Sequence, residues 1–396
     1  MKILHFNEFG STVGGVERYI ADISNALASA GHETVLVSFA PEDASKLMPG
    51  TVQIVASRTE VVLAGIERVI DVFRPDVAYV HAVYDPQIVR WILSRLPAIA
   101  YAHSPYLVCP GYALFLRRSS QVCGRAAGPG CVMNAQIERC CFGRNPIHHV
   151  RRLRQVRSLL EATSKVDALV GSEFMRRQLI ANGLSAQRVS VLAPFLVNES
   201  VSEYTRASDP TVILFGGRVT AEKGLRQLIE ALKSLQADWQ LIVAGDGPDR
   251  AACEQLAERL DIAQRIEFAG WVEPAQMKAL YQRCAFVVMP SLGPEGFGRI
   301  GPEAFVHGRP VVAYAVGGIP DWLEDGETGY LAVPGDVNSL SLAIARLIEN
   351  PDDQERMGQT ARERAGVHWN AETHVQKLVA CFQAAIRGFD DGTSNR

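Results

Sequence analysis

Short apolar runs alternate with helical periodicities along the chain, and the alternation occurs twice. In the first half, residues 2–6, 34–39, 52–55, 77–80, 98–102, 168–171 and 189–192 read as strands. Several are too apolar to leave one face in water, which is the mark of strands covered on both sides. Helical spacing fills 15–30, 61–73 and 173–182. A polar stretch without periodicity, 193–210, separates this half from the next. Strands then recur at 211–215, 239–244, 265–268, 285–289 and 310–313, with helices at 222–235, 249–260, 274–283, 337–349 and 352–365. A last helix, 371–388, follows a Trp-Asn break and is expected to lean back on the first half. Residues 390–396 read as a disordered tail.

Buried strands alternating with helices predict an α/β fold with parallel sheets. The expected architecture is two Rossmann-like domains, 1–195 and 205–370, facing a cleft lined by strand C-termini, where ligands bind in such folds.

Composition narrows the class. The chain has 396 residues, 47% of them apolar, and a net charge of −3, which fits a globular protein and argues against general nucleic-acid binding. No run approaches eighteen apolar residues, so no spanning helix is expected. The opening Met-Lys-Ile-Leu-His-Phe-Asn-Glu reads as a strand and not as a signal peptide, so a cytoplasmic location is expected.

Local charge and cysteine usage depart from this average. Residues 117–157 carry nine arginines (positions 117, 118, 125, 139, 144, 151, 152, 154 and 157), a single acid, Glu138, and no lysine. That is either a solvated loop and helix face or a contact for an anionic partner, phospholipid headgroups or a phosphorylated acceptor. His148 and His149 sit amid these arginines and read as part of the solvated face. Five of the eight cysteines, Cys109, Cys123, Cys131, Cys140 and Cys141, fall within 33 residues. In a reducing compartment such a cluster suits a structural zinc held by Cys109, Cys123, Cys131 and Cys140, with Cys141 able to replace Cys140. Unligated thiols and a disulfide or redox role are the alternatives.

The chemistry concentrates at strand ends. Glu295 and Glu303 lie eight residues apart in Pro-Glu-Gly-Phe-Gly-Arg-Ile-Gly-Pro-Glu, Glu295 in a glycine-rich turn and Glu303 about two turns into the helix that follows. Eight residues amount to about 800 degrees of helical rotation, so the carboxylates suit one ligand touched at two points. Gly296, Gly298 and Gly301 also fit G-x-G-x-x-G, but five residues separate the strand from the first glycine, unlike a dinucleotide fingerprint.

Gly217-Arg218 leaves the first strand of the second half, and Glu222-Lys223-Gly224 opens the next helix. An arginine can fork onto phosphate oxygens while a lysine supplies a point charge. Gly14-Gly15 before the first helix, Gly245-Asp-Gly247 and Gly317-Gly-Ile-Pro320 are further close-approach turns. His103 follows the strand at 98–102 on the cleft side. No Asp-x-Asp occurs, so a bound diphosphate would be neutralised by Arg218, Lys223 and helix N-termini, without a fixed divalent ion.

Taken in order, Gly14-Gly15-Val-Glu-Arg18, His103, Gly217-Arg218 with Glu222-Lys223-Gly224, Gly245-Asp-Gly247, the E-x7-E pair and Gly317-Gly-Ile-Pro320 resemble the family 4 retaining glycosyltransferases of GT-B fold. The resemblance spans residues 1 to about 385. It implies transfer of a sugar from a nucleotide diphosphate sugar, UDP- or GDP-linked, with no cofactor needed for catalysis. It implies catalytic roles for Glu295, His103, Arg218 and Lys223. Arg218 and Lys223 would hold the diphosphate, Glu303 the ribose, and Glu295, Gly296, Phe297 and Gly298 the donor sugar. His103 would touch the sugar from the N-terminal domain, and Gly15 would line the diphosphate and acceptor side. Gly245 would also contact the donor, and the base would pack near Gly270-Trp271-Val272.

Ser104 and His307 depart from the family pattern, and the cysteine-rich stretch is similar to an insertion in a subset of these enzymes. The expected setting is surface polysaccharide or glycolipid assembly, with a sugar or lipid-linked sugar acceptor met at an anionic membrane face. A soluble sugar or small-metabolite acceptor, and a non-catalytic nucleotide-sugar-binding partner protein, are the alternatives.

Overall fold

The computed structural model of the chain describes residues 1–12, 14–141, 143, 145–197 and 211–393. The first sheet is entirely parallel. Its strands are β1 (Lys2–Asn7), β2 (Glu33–Ser38), β3 (Thr51–Gln53), β4 (Val77–Val80), β5 (Ala98–Ala102), β8 (Asp167–Val170) and β9 (Val189–Val191), in the order β3-β2-β1-β4-β5-β8-β9. Between β5 and β8 lies a two-stranded hairpin, β6 (Phe115–Leu116) and β7 (Gln121–Val122). The second sheet comprises β10 (Thr211–Gly216), β11 (Trp239–Ala244), β12 (Ile266–Gly270), β13 (Phe286–Met289), β14 (Val311–Tyr314) and β15 (Gly329–Ala332), in the order β12-β11-β10-β13-β14-β15. Strand order reverses between β1 and β4, and again between β10 and β13. Each reversal opens a crevice beyond the strand C-termini, where ligands of open α/β sheets bind.

Helices cover both sheets because the strands are apolar on both faces. Ile3, Leu4 and Phe6 of β1 and Ile213 and Leu214 of β10 are all fully buried. The helices of the described residues are α1 (Gly15–Ser29), α2 (Thr59–Phe73), α3 (Pro86–Arg95), α4 (Gly130–Ile137), α5 (Pro146–Thr163), α6 (Glu173–Ala181), α7 (Leu225–Lys233), α8 (Arg250–Arg259), α9 (Pro274–Arg283), α10 (Ile300–Val306), α11 (Val337–Glu349), α12 (Pro351–His368) and α13 (Ala371–Thr393). No described helix is long and apolar enough to cross a membrane.

Several elements differ from the sequence expectation. Helix α5 is an ordinary amphipathic helix: Leu153, Val156, Leu159 and Leu160 face the core, while Arg151, Arg154 and Arg157 are exposed. Its arginine content hid the apolar stripe. His149 is correspondingly not on a solvated face but fully buried, its Nδ1 3.1 Å from the Gln136 side-chain nitrogen. Arg152 also turns inward and stacks 4.1 Å from the centroid of the Tyr112 ring. The tail expected to be disordered from residue 390 continues as α13 to Thr393. Residues 394–396, Arg144, most of the polar break (198–210) and the start expected for the second domain at 205 lie outside the described residues.

Helix α13 returns to the first sheet. Leu378 and Phe382 are fully buried against Tyr19, Tyr79, Ile99 and Tyr101. A polar chain pins its beginning. His374 Nδ1 lies 3.0 Å from the Ala193 carbonyl, which can only accept, so Nδ1 carries the proton. His374 Nε2 then accepts from the Tyr19 hydroxyl at 2.9 Å, and Tyr79 donates to Tyr19 at 3.0 Å. Burial lowers His374 to about 4, which keeps it neutral for this arrangement.

Truncating Phe382 to Ala should therefore cost ~3–5 kcal/mol, seen as a lower midpoint in urea unfolding. An unchanged midpoint would mean that α13 is not part of the N-terminal core.

Candidate active site

Two loops meet at the β10/β13 crevice and are held together by backbone contact. The 3-10 turn Ala221–Lys223 ends at Gly224, which has φ +71°. A Cβ there would lie 1.8 Å from the Pro290 carbonyl oxygen, so only glycine lets the two chains touch. The Glu222 carbonyl accepts from the amides of Leu292 and Gly293, each at 2.9 Å. From the other side, Gly317 (φ +60°) presses on Glu295, where a Cβ would lie 2.4 Å from its backbone nitrogen and oxygen.

This fixes Lys223 against Glu295. Lys223 Nζ lies 2.6 Å from Glu295 Oε1, and Ser291 donates its hydroxyl to the same oxygen at 2.6 Å. Burial by itself would raise the Glu295 carboxyl, but Lys223 and then Ser291 outweigh it and hold the group below the usual carboxylate range. Glu295 is therefore an anion at neutral pH. Arg218, by contrast, is exposed, and its side chain has no ion pair or hydrogen bond among the described residues.

Glu303 lies in the first turn of the seven-residue α10, not two turns into a longer helix, because the glycine-rich loop runs on to Arg299. Its carboxylate accepts from Arg299 Nε at 3.2 Å and from the Tyr281 hydroxyl at 3.2 Å. Arg299 also reaches across the cleft to Asp22 of α1, 3.0 Å away, and its Nη1 is buried without a partner among the described residues. Phe297 is buried, and its carbonyl accepts from the Trp322 indole at 2.7 Å. Gly298 has φ +85°. Further round the pocket, Gly245 bridges to Gly270, and Val272 packs half-buried against the core beside the exposed Trp271.

The N-terminal domain closes the other wall. The His103 carbonyl oxygen would lie 2.5 Å from a Cβ on Gly296, so His103 and the Glu295 turn are in direct apposition. The His103 ring stacks on Tyr101 at 4.1 Å, and burial, then the charge of Arg299, lowers its pKa to about 3. Gly15 opens α1 with space around it. Glu17 folds its carboxylate back toward Gly14 and accepts from Asn7 at 3.2 Å; burial raises its pKa. The Glu173 amide donates to Asp321 across the cleft at 2.6 Å.

The thiols of the cysteine-rich segment sit in different environments, Cys109 buried and Cys123, Cys131, Cys140 and Cys141 partly exposed. Cys109 is buried in the N-terminal core as a small apolar side chain, which pushes its thiol up to about 11. Cys140 and Cys141 hydrogen-bond each other, which raises the first and lowers the second. Among the described residues no three His, Cys, Asp or Glu side chains converge as a metal-binding group, so Cys109, Cys123, Cys131 and Cys140 form no ligand shell here. Instead the β6–β7 hairpin straps the domains together. Phe115 is buried in the core of the second domain, and Arg117 lies 3.8 Å from Glu222, next to Lys223.

The side-chain roles of Ser291, Tyr281, Arg299 and Asp22 do not follow from the sequence pattern, which offers Arg299 only as a backbone amide near the sugar. The i,i+4 spacing of Arg299 and Glu303 was a readable signal. The pairing of Arg299 with Asp22, 277 residues apart, was not.

Residues 13–196 match the model of Glycosyltransferase Family 4, and residues 198–364 match that of Glycosyl transferases group 1. The chain is 25% identical to the glycogen synthase of Mycobacterium tuberculosis over 400 residues, 95% of this chain and 92% of that protein. It is 30% identical to the alpha-D-kanosaminyltransferase of Streptomyces kanamyceticus over 220 residues, 53% of this chain and 57% of that one. The structure of Anabaena HepE in complex with UDP and glucose superposes with a TM-score of 0.73 at 18% identity, covering 97% of this chain and 100% of that chain. The last likeness is one of fold.

Removing the cation in Lys223→Met should raise the Glu295 carboxyl, read from a carbon-13 carboxyl titration. A Glu295 that stays low would show that Ser291 alone sets it.

Proposed function

The chain belongs to the family 4 glycosyltransferases of GT-B fold, and we propose that it moves a sugar from a nucleotide diphosphate sugar to an acceptor hydroxyl with retention at the anomeric carbon. The observation that carries this reading is the Lys223–Glu295 pair beside the unpaired Arg218, at the mouth of the β10/β13 crevice. Two cations and a held carboxylate at one switch point suit a diphosphate joined to a polyol.

In this reading Arg218 and Lys223 take the diphosphate, and Glu295 accepts from sugar hydroxyls through the oxygen that Lys223 leaves unpaired. Glu303 exchanges its bonds to Arg299 and Tyr281 for the ribose hydroxyls. Gly296, Phe297 and Gly298 line the sugar and diphosphate, Gly15 faces them across the cleft, and the base lies along Gly245 and Gly270 to Val272. A UDP-linked donor is favoured by the UDP bound to HepE, with GDP-linked donors as the alternative.

The acceptor oxygen attacks the anomeric carbon on the face from which the diphosphate departs. The bond from that carbon to the phosphate oxygen breaks, and the acceptor's proton passes to the departing oxygen. His103, kept neutral by burial, serves as a hydrogen-bonding wall and not as an acid. Isolation of a covalent glycosyl-enzyme would contradict this route.

Surface polysaccharide or glycolipid assembly is the setting best supported. Met133 and Ile137 of the helix Gly130–Ile137 and Ile147 of α5 are about half or more exposed, and Arg151, Arg154 and Arg157 lie on α5, which packs against that helix. Apolar tips beside cations fit an anionic membrane face carrying a lipid-linked acceptor.

Three measurements test the reading. Donor turnover should fall by about 10²–10³-fold in Arg218→Ala, as for loss of one transition-state donor. In Glu295→Ala it should be lost, and wild-type turnover there would remove Glu295 from the mechanism. UDP or GDP at a hundred times its dissociation constant should stabilise the protein by about 2.7 kcal/mol in a thermal-shift screen; no response to any nucleoside diphosphate would contradict donor binding. Sedimentation with anionic vesicles should be lost in high salt and in the Arg151, Arg154, Arg157 triple alanine variant. Failure to bind at low salt would point to a soluble acceptor.

A further inference from the structure

Three histidines on neighbouring strands form one hydrogen-bonded chain that ends at the cleft. His5 lies in β1, His81 just past β4 and His103 just past β5, and these three strands are adjacent in the sheet. The register pairs His5 with Tyr79 and Val80 with Ala100, so each imidazole stands two residues further along than the one before. Steps of two keep all three on one face of the sheet and carry the chain toward the strand C-termini. His5 Nδ1 lies 3.1 Å from His81 Nε2, and His81 Nδ1 lies 2.9 Å from His103 Nε2.

We propose that His5 and His81 are positioning residues that hold His103 as its Nδ1–H tautomer, so that it presents a hydrogen-bond donor in the cleft to a sugar oxygen of the transfer reaction. The proposal rests on the glycosyl-transfer reading for the identity of that oxygen, and on the hydrogen-bond geometry alone for the tautomer.

Burial lowers all three imidazoles, so each carries one proton at neutral pH. Two hydrogen bonds among three neutral rings leave only two proton orders. In one, every proton points inward, and His5 Nε2 carries an N–H. In the other, every proton points outward: His5 Nδ1–H donates to His81, His81 Nδ1–H donates to His103, and His103 keeps its proton on Nδ1. His5 Nε2 decides between them, because it is buried with no partner among the described residues. The inward order would orphan a buried N–H, a rare arrangement, whereas the outward order leaves only a lone pair unpaired.

The outer end is open. His103 is half-buried, its Nδ1 has no protein partner among the described residues, and it is not among the sealed, unpaired atoms. Stacking on Tyr101 and edge contact with Tyr19 at 5.0 Å fix the ring plane. Arg299, the charged group whose field acts on His103, favours the neutral ring. A fixed donor of this kind discriminates against a sugar lacking the facing oxygen, by up to about 10⁴-fold where the partner is buried.

Two-bond proton–nitrogen correlation spectra of the full chain, labelled with nitrogen-15 histidine, report the tautomer of each ring directly. Single-site variants assign the signals. Expected are Nδ1–H tautomers for His5, His81 and His103, the reverse of the form that free imidazole side chains favour. An Nε2–H His103 in the wild-type protein would overturn the proposal.

His81→Phe removes the proton donated to His103 Nε2. It should shift the His103 tautomer toward Nε2–H and lower kcat by about tenfold, the worth of one hydrogen bond, with the nucleotide thermal shift unchanged. His81→Asn, whose amide N–H can still donate, should restore both. Wild-type kcat in folded His81→Phe, or no rescue by His81→Asn, would contradict the positioning role. If the wild-type chain transferred no sugar while the spectra gave Nδ1–H at all three rings, the functional reading would fail and the tautomer assignment would stand.

Discussion

The ion pair between Lys223 and Glu295 is the interaction on which the rest of the site depends. A carboxylate this buried is stable as an anion only if a cation and hydrogen bonds compensate its lost hydration. Lys223 and Ser291 do so on one oxygen, which leaves the other for a ligand. The pair in turn requires two loops from different strands to touch through their backbones. The contacts of Gly224 on Pro290 and of Gly317 on Glu295 supply that constraint. The glycines of this domain thus set electrostatics as well as chain direction.

The two domains are already in contact around this pair. Arg299 joins Asp22 of the first domain to Glu303 of the second, the His103 backbone abuts Gly296, and the β6–β7 hairpin buries Phe115 in the second domain. A ligand at Glu303 must therefore exchange with Arg299 and Tyr281, and a diphosphate at Lys223 must share that cation with Glu295. A ligand that took over these contacts would replace internal charge pairs with its own, so its net affinity would be the difference between two similar terms.

Much of this was legible in the sequence because the relevant signals are local. The apolar runs 77–80, 98–102 and 239–244 coincide with strands to the residue, since parallel strands buried on both faces are continuous apolar words. The glycine turns announced the strand ends. What was not legible is what depends on distant pairing. Nothing near Glu303 predicts that α10 lasts only seven residues. The arginines of 117–157 masked α5, whose apolar stripe at 153, 156, 159 and 160 is regular once composition is set aside. The spacing of the cysteines carries no information on burial, and so does not show that Cys109 packs in the N-terminal core while the other four thiols of the segment stay partly exposed. The three histidines at 5, 81 and 103 come together only through the strand order β1-β4-β5.

The most direct test of the central claim is a crystal structure of the chain soaked with UDP, and with GDP if UDP does not bind. Expected is a diphosphate within hydrogen-bonding distance of Arg218 and Lys223, with the ribose hydroxyls on Glu303 in place of Arg299. A nucleotide bound elsewhere, with the Lys223–Glu295 and Arg299–Glu303 pairs untouched, would contradict it.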